Sequence, residues 1–269
     1  MRVADRIPLT GAQEQLLVPL HARALDSRSP RPVLGDRTAV RALRRIDSRR
    51  PRASAWTRTL VTLRARLLDE WSADFLAEHP HAVVLHLGCG LDSRSDRIPL
   101  PEGVDWYDVD QPDVIALRRE LLPEPPPRHT VAASVADPAL LDPIPGDRPV
   151  LVEGLVMYLS EEDGLELFRR ITAHFPSGEL LFDAFSTAGV RLSNRANPAV
   201  VTSGARLGWS IDDPHDLEGA VPGLRLVAET PFTGKSEVDD QPWPTRLLLG
   251  AMTRVRPLRR LSRLLHYRF

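Results

Sequence analysis

The chain has 269 residues, 42% of them apolar, which is enough for one large α/β domain with a sizeable buried core. A formal net charge of -1 leaves no strongly basic surface of the kind that generic nucleic-acid binding needs, and the single cysteine, Cys89, excludes an internal disulfide. Lys235 is the only lysine, so positive charge is carried almost wholly by arginine, the side chain suited to fixed carboxylate pairing. Arg2, Asp5 and Arg6 interrupt any leader-like apolar run, and no stretch approaches the roughly 18–20 apolar residues that span a bilayer, so a cytoplasmic protein is expected.

Residues 1–55 are rich in arginine and proline and read as short helices and loops lying over another part of the fold. From Thr57 a helical period begins, with Leu60, Leu63, Leu67, Trp71 and Phe75 on one stripe, ending near His79-Pro80. Ala82–Leu87 is a buried strand entering the turn Gly88-Cys89-Gly90. Val104–Val109 is a second strand, after which Pro112 would open a helix at its first position. Thr130–Val135 reads as a third strand and Pro149–Val156 as a fourth. Ser160 with Asp163 then starts a helix like a capping box, and Gly178–Phe185 is a fifth strand. Strands alternating with helices imply a parallel, doubly wound sheet. After residue 186 the alternation lapses. Leu224–Glu229 and Leu264–Phe269 read as late strands, and the basic run Arg254–Arg263 reads as a solvated helix.

The turn Leu87-Gly88-Cys89-Gly90-Leu91-Asp92 permits close backbone approach to a ligand. A dinucleotide loop would want a third small residue, and here Ser93 stands in its place; a cofactor without a pyrophosphate needs only two glycines. Asp110 ends the second strand 20 residues beyond Gly90, where a carboxylate can accept hydrogen bonds from ribose hydroxyls. Cys89 reads as a small filler of the loop, and His86, on a buried strand, as a satisfied core histidine. No histidine or cysteine spacing suggests a metal site.

Four segments carry a family resemblance: Arg64-Ala65-Arg66-Leu67-Leu68-Asp69, Val84-Leu85-His86-Leu87-Gly88-Cys89-Gly90-Leu91-Asp92-Ser93-Arg94, Trp106-Tyr107-Asp108-Val109-Asp110-Gln111-Pro112, and Glu153-Gly154-Leu155-Val156-Met157-Tyr158-Leu159. In that order they resemble the leucine carboxyl methyltransferase family, in its branch of bacterial polyketide-pathway O-methyltransferases. The resemblance implies a Rossmann-like class I methyltransferase sheet with an N-terminal helical lid (residues 1–80), a cofactor-binding core (81–185), and a substrate-lid insertion with closing antiparallel strands (186–269). It implies S-adenosylmethionine as cofactor. Arg66 would hold its methionine carboxylate and Glu153 would lie on its amine or sulfonium side, with Gly154 beside it. Gly88, Cys89, Gly90 and Asp92 would form the loop, Asp110 and Gln111 would meet the ribose, and Ser134 and Val135 the adenine. The family commonly has Asp-Leu at that last position, and it often has aromatic residues where this chain reads Arg94-Ser95-Asp96-Arg97.

The acceptor implied is a small molecule, an aromatic or polyketide carboxylate, with no role for nucleic acid or membrane. A carboxylate is already ionised at neutral pH and needs no general base. Tyr158 would orient it, and Arg28, Arg31 or Arg37 from the lid could pair with its charge, with Arg28 taken as the representative. A phenolic acceptor would need a base, for which His21 and His215 are candidates. Two other classes compete. A nicotinamide oxidoreductase would call for a third glycine and a Tyr-x-x-x-Lys pair; a non-catalytic binding or regulatory relative is argued against by Arg66, Gly88, Gly90, Asp110 and Glu153 and would be supported by failure to bind the cofactor.

Overall fold

The computed structural model describes residues 7–9, 13, 16–47, 53–122, 125–154, 156–196, 200, 206–231, 243, 246–247, 250 and 259–269. A two-residue parallel pair, β1 (Ile7–Pro8) and β2 (Ile46–Asp47), joins the N-terminal segment to itself. The main sheet has seven strands: β3 (Val83–Leu87), β4 (Asp105–Asp110), β5 (Arg128–Ala132), β6 (Val150–Gly154), β7 (Gly178–Phe185), β8 (Arg225–Thr230) and β9 (Ser262–Arg268). Their spatial order is β5-β4-β3-β6-β7-β9-β8. The first five are parallel, and β9 runs antiparallel between β7 and β8. Strand order therefore runs outward from β3 in both directions, and the crevice of such a sheet opens at the carboxyl end of β3, between β4 and β6.

The helices start where local chemistry allows. In α3 (Ala55–Glu78) the Ser54 side chain caps the Thr57 amide at 3.0 Å, and the helix stops at His79, before Pro80. Pro112 opens α4 (Pro112–Leu121), and Ser160 caps the Asp163 amide at 3.1 Å to start α5 (Glu161–His174). The buried face of α3 is rotated from the apolar stripe seen in the sequence: Leu68, Asp69, Ser72 and Leu76 are buried, while Leu60, Leu67 and Trp71 are only half-buried. Burial of Leu63, Leu68, Phe75 and Leu76 is worth on the order of 6–12 kcal/mol, enough to dock a helix that also buries polar groups.

Two apolar layers sandwich the sheet. Val83, Leu85 and Leu87 face Phe168, Phe182 and Tyr267, whereas Val84, Trp106, Leu151, Leu181 and Leu264 face Leu68, Phe75 and Leu76 of α3. The N-terminal helices α1 (Leu17–Asp26) and α2 (Arg37–Arg45) lie over the glycine turn and α4, with Leu17, Leu20, Leu43 and Ile46 packed around Leu91, Leu117 and Leu121.

Several elements differ from the sequence reading. The third strand lies two residues earlier than expected, because Arg128 and His129 pair with β4 at the sheet edge, and this leaves Ser134 and Val135 in the loop beyond it. Two helices, α6 (Thr187–Ala196) and α7 (Asp216–Ala220), occupy the stretch where alternation lapsed. Half of the basic run Arg254–Arg263, residues 254–258, lies outside the described residues, and Arg259 and Arg260 are exposed. Arg263 itself lies on β9, buried, paired with Glu229 at 2.9 Å and donating to the carbonyls of Ile211 and Asp212. Among the described residues no helix is long and apolar enough to cross a membrane.

Candidate active site

The turn after β3 is held from three sides. Gly88 (φ 64°) and Gly90 (φ 50°) both adopt left-handed backbone that other residues resist. The Gly90 amide donates to Asp110 Oδ2 at 2.8 Å, and the Gln111 amide donates to Asp110 Oδ1 at 2.8 Å, so both carboxylate oxygens are aimed by backbone. Arg118, from α4, donates to the carbonyls of Gly90 (3.0 Å) and Asp92 (2.7 Å), while Arg23, from α1, donates to that of Leu91 at 2.8 Å. Burial pushes the Asp110 carboxyl above its ordinary value, against the two amide donors.

Beside the turn, on the face of the sheet covered by α3, lies a row of ionisable groups. Arg64 grips both oxygens of Asp183 through Nε (2.6 and 2.8 Å), and its Nη2 approaches Glu153 Oε1 at 3.3 Å. Arg94 is fully buried and sits 2.8 Å from Glu153 Oε2 and 2.9 Å from Asp69 Oδ1, held by charge without well-angled hydrogen bonds. Burial pushes the Glu153 carboxyl up, but Arg94, His86 and Arg64 together hold it below its ordinary value. Burial and the neighbouring Glu153 raise Asp183 in spite of Arg64.

The expected site residues divide into three groups. Gly88, Cys89, Gly90, Asp110, Gln111, Glu153 and Gly154 lie at the carboxyl ends of β3, β4 and β6. Cys89 is buried with its thiol pushed up by desolvation, which suits a filler and not a nucleophile. Gly154 is required by packing: a Cβ there would come within 2.8 Å of the Leu87 carbonyl oxygen. Asp92 is turned into an internal ion network, 2.8 Å from Arg97 and 3.8 Å from Arg23, and these cations hold it well below the ordinary range despite burial. Ser134 and Val135 are half-buried in the loop after β5, where Ser134 Oγ accepts from the Ala136 amide.

Arg66 does not face the crevice. It lies on the exposed side of α3, 2.7 Å from Glu70, because two residues along a helix turn the side chain by about 200° from Arg64. Arg64 stands where Arg66 was expected, with Nη1 lacking a partner among the described residues. Arg28 is exposed on the turn after α1, whereas Arg23 is the lid arginine that reaches the glycine turn. Tyr158, in a short 3-10 turn (Val156–Tyr158) after β6, is 44% exposed; burial and the nearby Asp183 hold its hydroxyl above its ordinary value. His215 is exposed and bonded to Glu218, and His21 faces the Ala53 amide, so neither candidate base is shown aimed at the crevice.

Chemically, the crevice offers an oriented carboxylate for vicinal hydroxyls at Asp110, a turn of left-handed glycine backbone, and an arginine nitrogen for a ligand carboxylate at Arg64. That set fits an adenosyl amino acid. Arg64, Asp183, Arg94 and Arg118 were not singled out from the sequence. The two-residue step from apolar to ionisable side chain near the end of each central strand was a signal for Asp183, while Arg64, Arg94 and Arg118 sit on helical turns and leave no such mark.

Comparison with known proteins agrees with this geometry. Residues 17–138 match the leucine carboxyl methyltransferase family. The chain is 46% identical to the tetracenomycin polyketide synthesis O-methyltransferase TcmP of Streptomyces glaucescens, over 99% of this chain and 100% of that protein. It is 40% identical to the S-adenosyl-L-methionine-dependent methyltransferase dpfgK of Gibberella zeae, over 82% of each. In fold it resembles a DUF574 family protein from Streptomyces avermitilis, with a TM-score of 0.55 and 16% identity over 92% of this chain and 96% of the other.

Proposed function

The chain belongs to the leucine carboxyl methyltransferase family and is an S-adenosylmethionine-dependent O-methyltransferase, and from that premise we propose that it esterifies the carboxylate of a small aromatic, polyketide-type acid. The observation that carries the carboxylate reading is Tyr158. The side chain is exposed, Asp183 and Arg64 act on its hydroxyl, and that hydroxyl is held protonated, so it can donate to an acceptor oxygen but cannot act as a base at neutral pH. An ionised carboxylate needs such a donor and no base.

In this reading the glycine turn (Gly88, Cys89, Gly90, with Asp92 bracing it) and Asp110 with Gln111 receive the adenosine half. Ser134 and Val135 border the base, and Arg64 and Glu153, with Gly154 beside them, receive the methionine half. The cofactor supplies a methyl group already activated on a sulfonium. The protein's work is then alignment and exclusion of water. Tyr158 orients the acceptor, and Arg28, exposed on the lid, meets its charge on entry. Residues 1–80 serve as the lid, 81–185 as the cofactor core, and 186–269 shape the acceptor pocket and close the sheet. The setting is cytoplasmic, with a small molecule and neither nucleic acid nor membrane as partner.

The test is to supply methyl-labelled S-adenosylmethionine with aromatic polyketide carboxylic acids and treat the product with mild alkali. Release of the label as methanol is expected of a methyl ester. Retention of the label would exclude a methyl ester and overturn the carboxylate assignment.

A further inference from the structure

On the α3 face of the sheet, the same two-residue step recurs in four strands. Trp106, Val84 and Leu151 lie level as an apolar layer, and two residues onward Asp108, His86 and Glu153 lie level as a buried ionisable one; on β7 the step is offset, with Leu181 level with Glu153 and Asp183 two residues beyond. In a parallel sheet covered on both faces, ionisable groups at these positions carry a desolvation cost unless each is partnered. His86 is at the centre. It is in register with Asp108 on one side and Glu153 on the other. Its Nδ1 lies 2.7 Å from Asp108 Oδ1, and its Nε2 lies 3.3 Å from Glu153 Oε2. The ring stands edge-on to Trp106, whose Nε1 donates to the same Asp108 oxygen at 3.0 Å.

The contacts continue outward in both directions. Asp108 Oδ2 takes Arg118 Nη2 at 2.5 Å, and Arg118 Nη1 holds the Gly90 and Asp92 carbonyls. On the other side Glu153 Oε1 faces Arg64, which grips Asp183. A chain of polar contacts thus links the glycine turn to the arginine of the methionine side; the imidazole on β3 bridges Asp108 of β4 and Glu153 of β6, beside a second route from Glu153 through Arg94 to Asp92.

We infer that His86 is a positioning residue for the cofactor: buried beneath the crevice, it fixes Glu153 against Asp108 so that the two halves of the site are held in one geometry. The inference rests on assigning the glycine turn and Asp110 to adenosine and Arg64 with Glu153 to methionine. An apolar side chain at 86 would take one partner from each carboxylate in a low-dielectric layer, leaving Asp108 to Arg118 and Trp106 on one side and Glu153 to Arg94 and Arg64 on the other, with nothing joining the two directly.

The test is calorimetric titration of S-adenosylmethionine into wild type, His86→Leu, His86→Gln, Glu153→Gln and the double variants, with melting temperatures alongside. Affinity should fall about tenfold in His86→Leu and be largely restored in His86→Gln, whose amide can still reach Glu153. His86→Leu combined with Glu153→Gln should bind no more weakly than Glu153→Gln alone, a non-additivity that general destabilisation does not produce. Should the leucine variant fail to fold, the cycle of His86→Gln with Glu153→Gln decides by the same criterion. Affinity within about twofold of wild type in folded His86→Leu, or simple additivity in the cycle, would overturn the inference. Wild-type affinity in Arg64→Gln and Glu153→Gln would instead overturn the site assignment beneath it.

Discussion

Arg64 and Asp183 are joined through two nitrogens and both carboxylate oxygens, with Nε at 2.6 and 2.8 Å, across a sequence separation of 119 residues. The pair fastens α3 to the carboxyl end of β7, the last parallel strand, and sets one wall of the crevice. Replacing Arg64 with Gln leaves Asp183 buried without its main counter-ion, which costs about 3 kcal/mol of stability. Cofactor affinity should fall with it. Arg66→Gln removes only an exposed pair with Glu70 and should change stability by no more than about 0.5 kcal/mol, leaving affinity intact. Urea denaturation and cofactor titration of the two variants check the contrast. Equal effects at 64 and 66 would contradict the phase of α3.

Gly90 makes a sharper prediction about the lid. Its φ of 50° disfavours any side chain, and a Cβ there would sit 3.1 Å from Leu16 Cδ2, just before α1. Gly90→Ala should therefore cost about 1–2 kcal/mol and disturb both the turn and the N-terminal segment against it. A companion Leu16→Ala change should relieve the contact without relieving the backbone, so the double variant should recover only part of the loss. Full recovery in thermal melts would mean that the side-chain contact alone matters.

How much of this was legible beforehand depends on what kind of signal each feature leaves. The strand Gly178–Phe185 could be bounded from sequence because the apolar Leu180, Leu181, Phe182, Ala184 and Phe185 fall between a helix end and a serine. The edge strand β5 was displaced because Arg128 and His129 sit at the sheet margin, where polar residues pair as readily as apolar ones. The phase of α3 is missed for a related reason: its buried face includes Thr62, Asp69 and Ser72, which an apolar period does not count. Arg66 comes from the family resemblance, and helix phase alone separates it from Arg64, two residues earlier. His86 could be seen to be buried, but its two partners depend on strand register, which becomes visible only when β4, β3 and β6 are laid side by side.

The buried carboxylates give the protein a pH signature. Glu153, ordinarily near 4.5, and Asp92 and Asp108, ordinarily near 3.8, are all held lower in the folded state, because arginines and His86 outweigh burial. The unfolded chain then binds their protons more readily, so the stability they contribute is fully present above the ordinary values and is lost as pH falls through the lowered ones. Asp110 and Asp183 are raised and act in the opposite sense, contributing more as pH falls. The lowered group is larger, so urea midpoints should change little from about pH 7 to about pH 5 and fall steeply below about pH 4. Removing one opposing contribution with Asp110→Asn should steepen the acid fall. A midpoint that rises through the acid range would show that the raised pair dominates.

Tyr158 separates binding from turnover. It follows β6 in the short turn Val156–Tyr158, 44% exposed, with its hydroxyl held above its ordinary value by burial and Asp183. Tyr158→Phe keeps the ring and removes only the donor. If the hydroxyl orients the acceptor oxygen, S-adenosylmethionine affinity should stay unchanged while kcat/KM for the acceptor falls on the order of tenfold, the loss expected for one directed hydrogen bond. Because a protonated tyrosine is required, wild-type activity should stay level as pH rises from neutrality and decline only as the phenol ionises, above its usual value of 10. The decline should be missing from the Phe variant. A Phe variant with wild-type kcat/KM would assign Tyr158 to packing, and an activity that climbs with pH through neutrality would point to a base and to a hydroxyl acceptor.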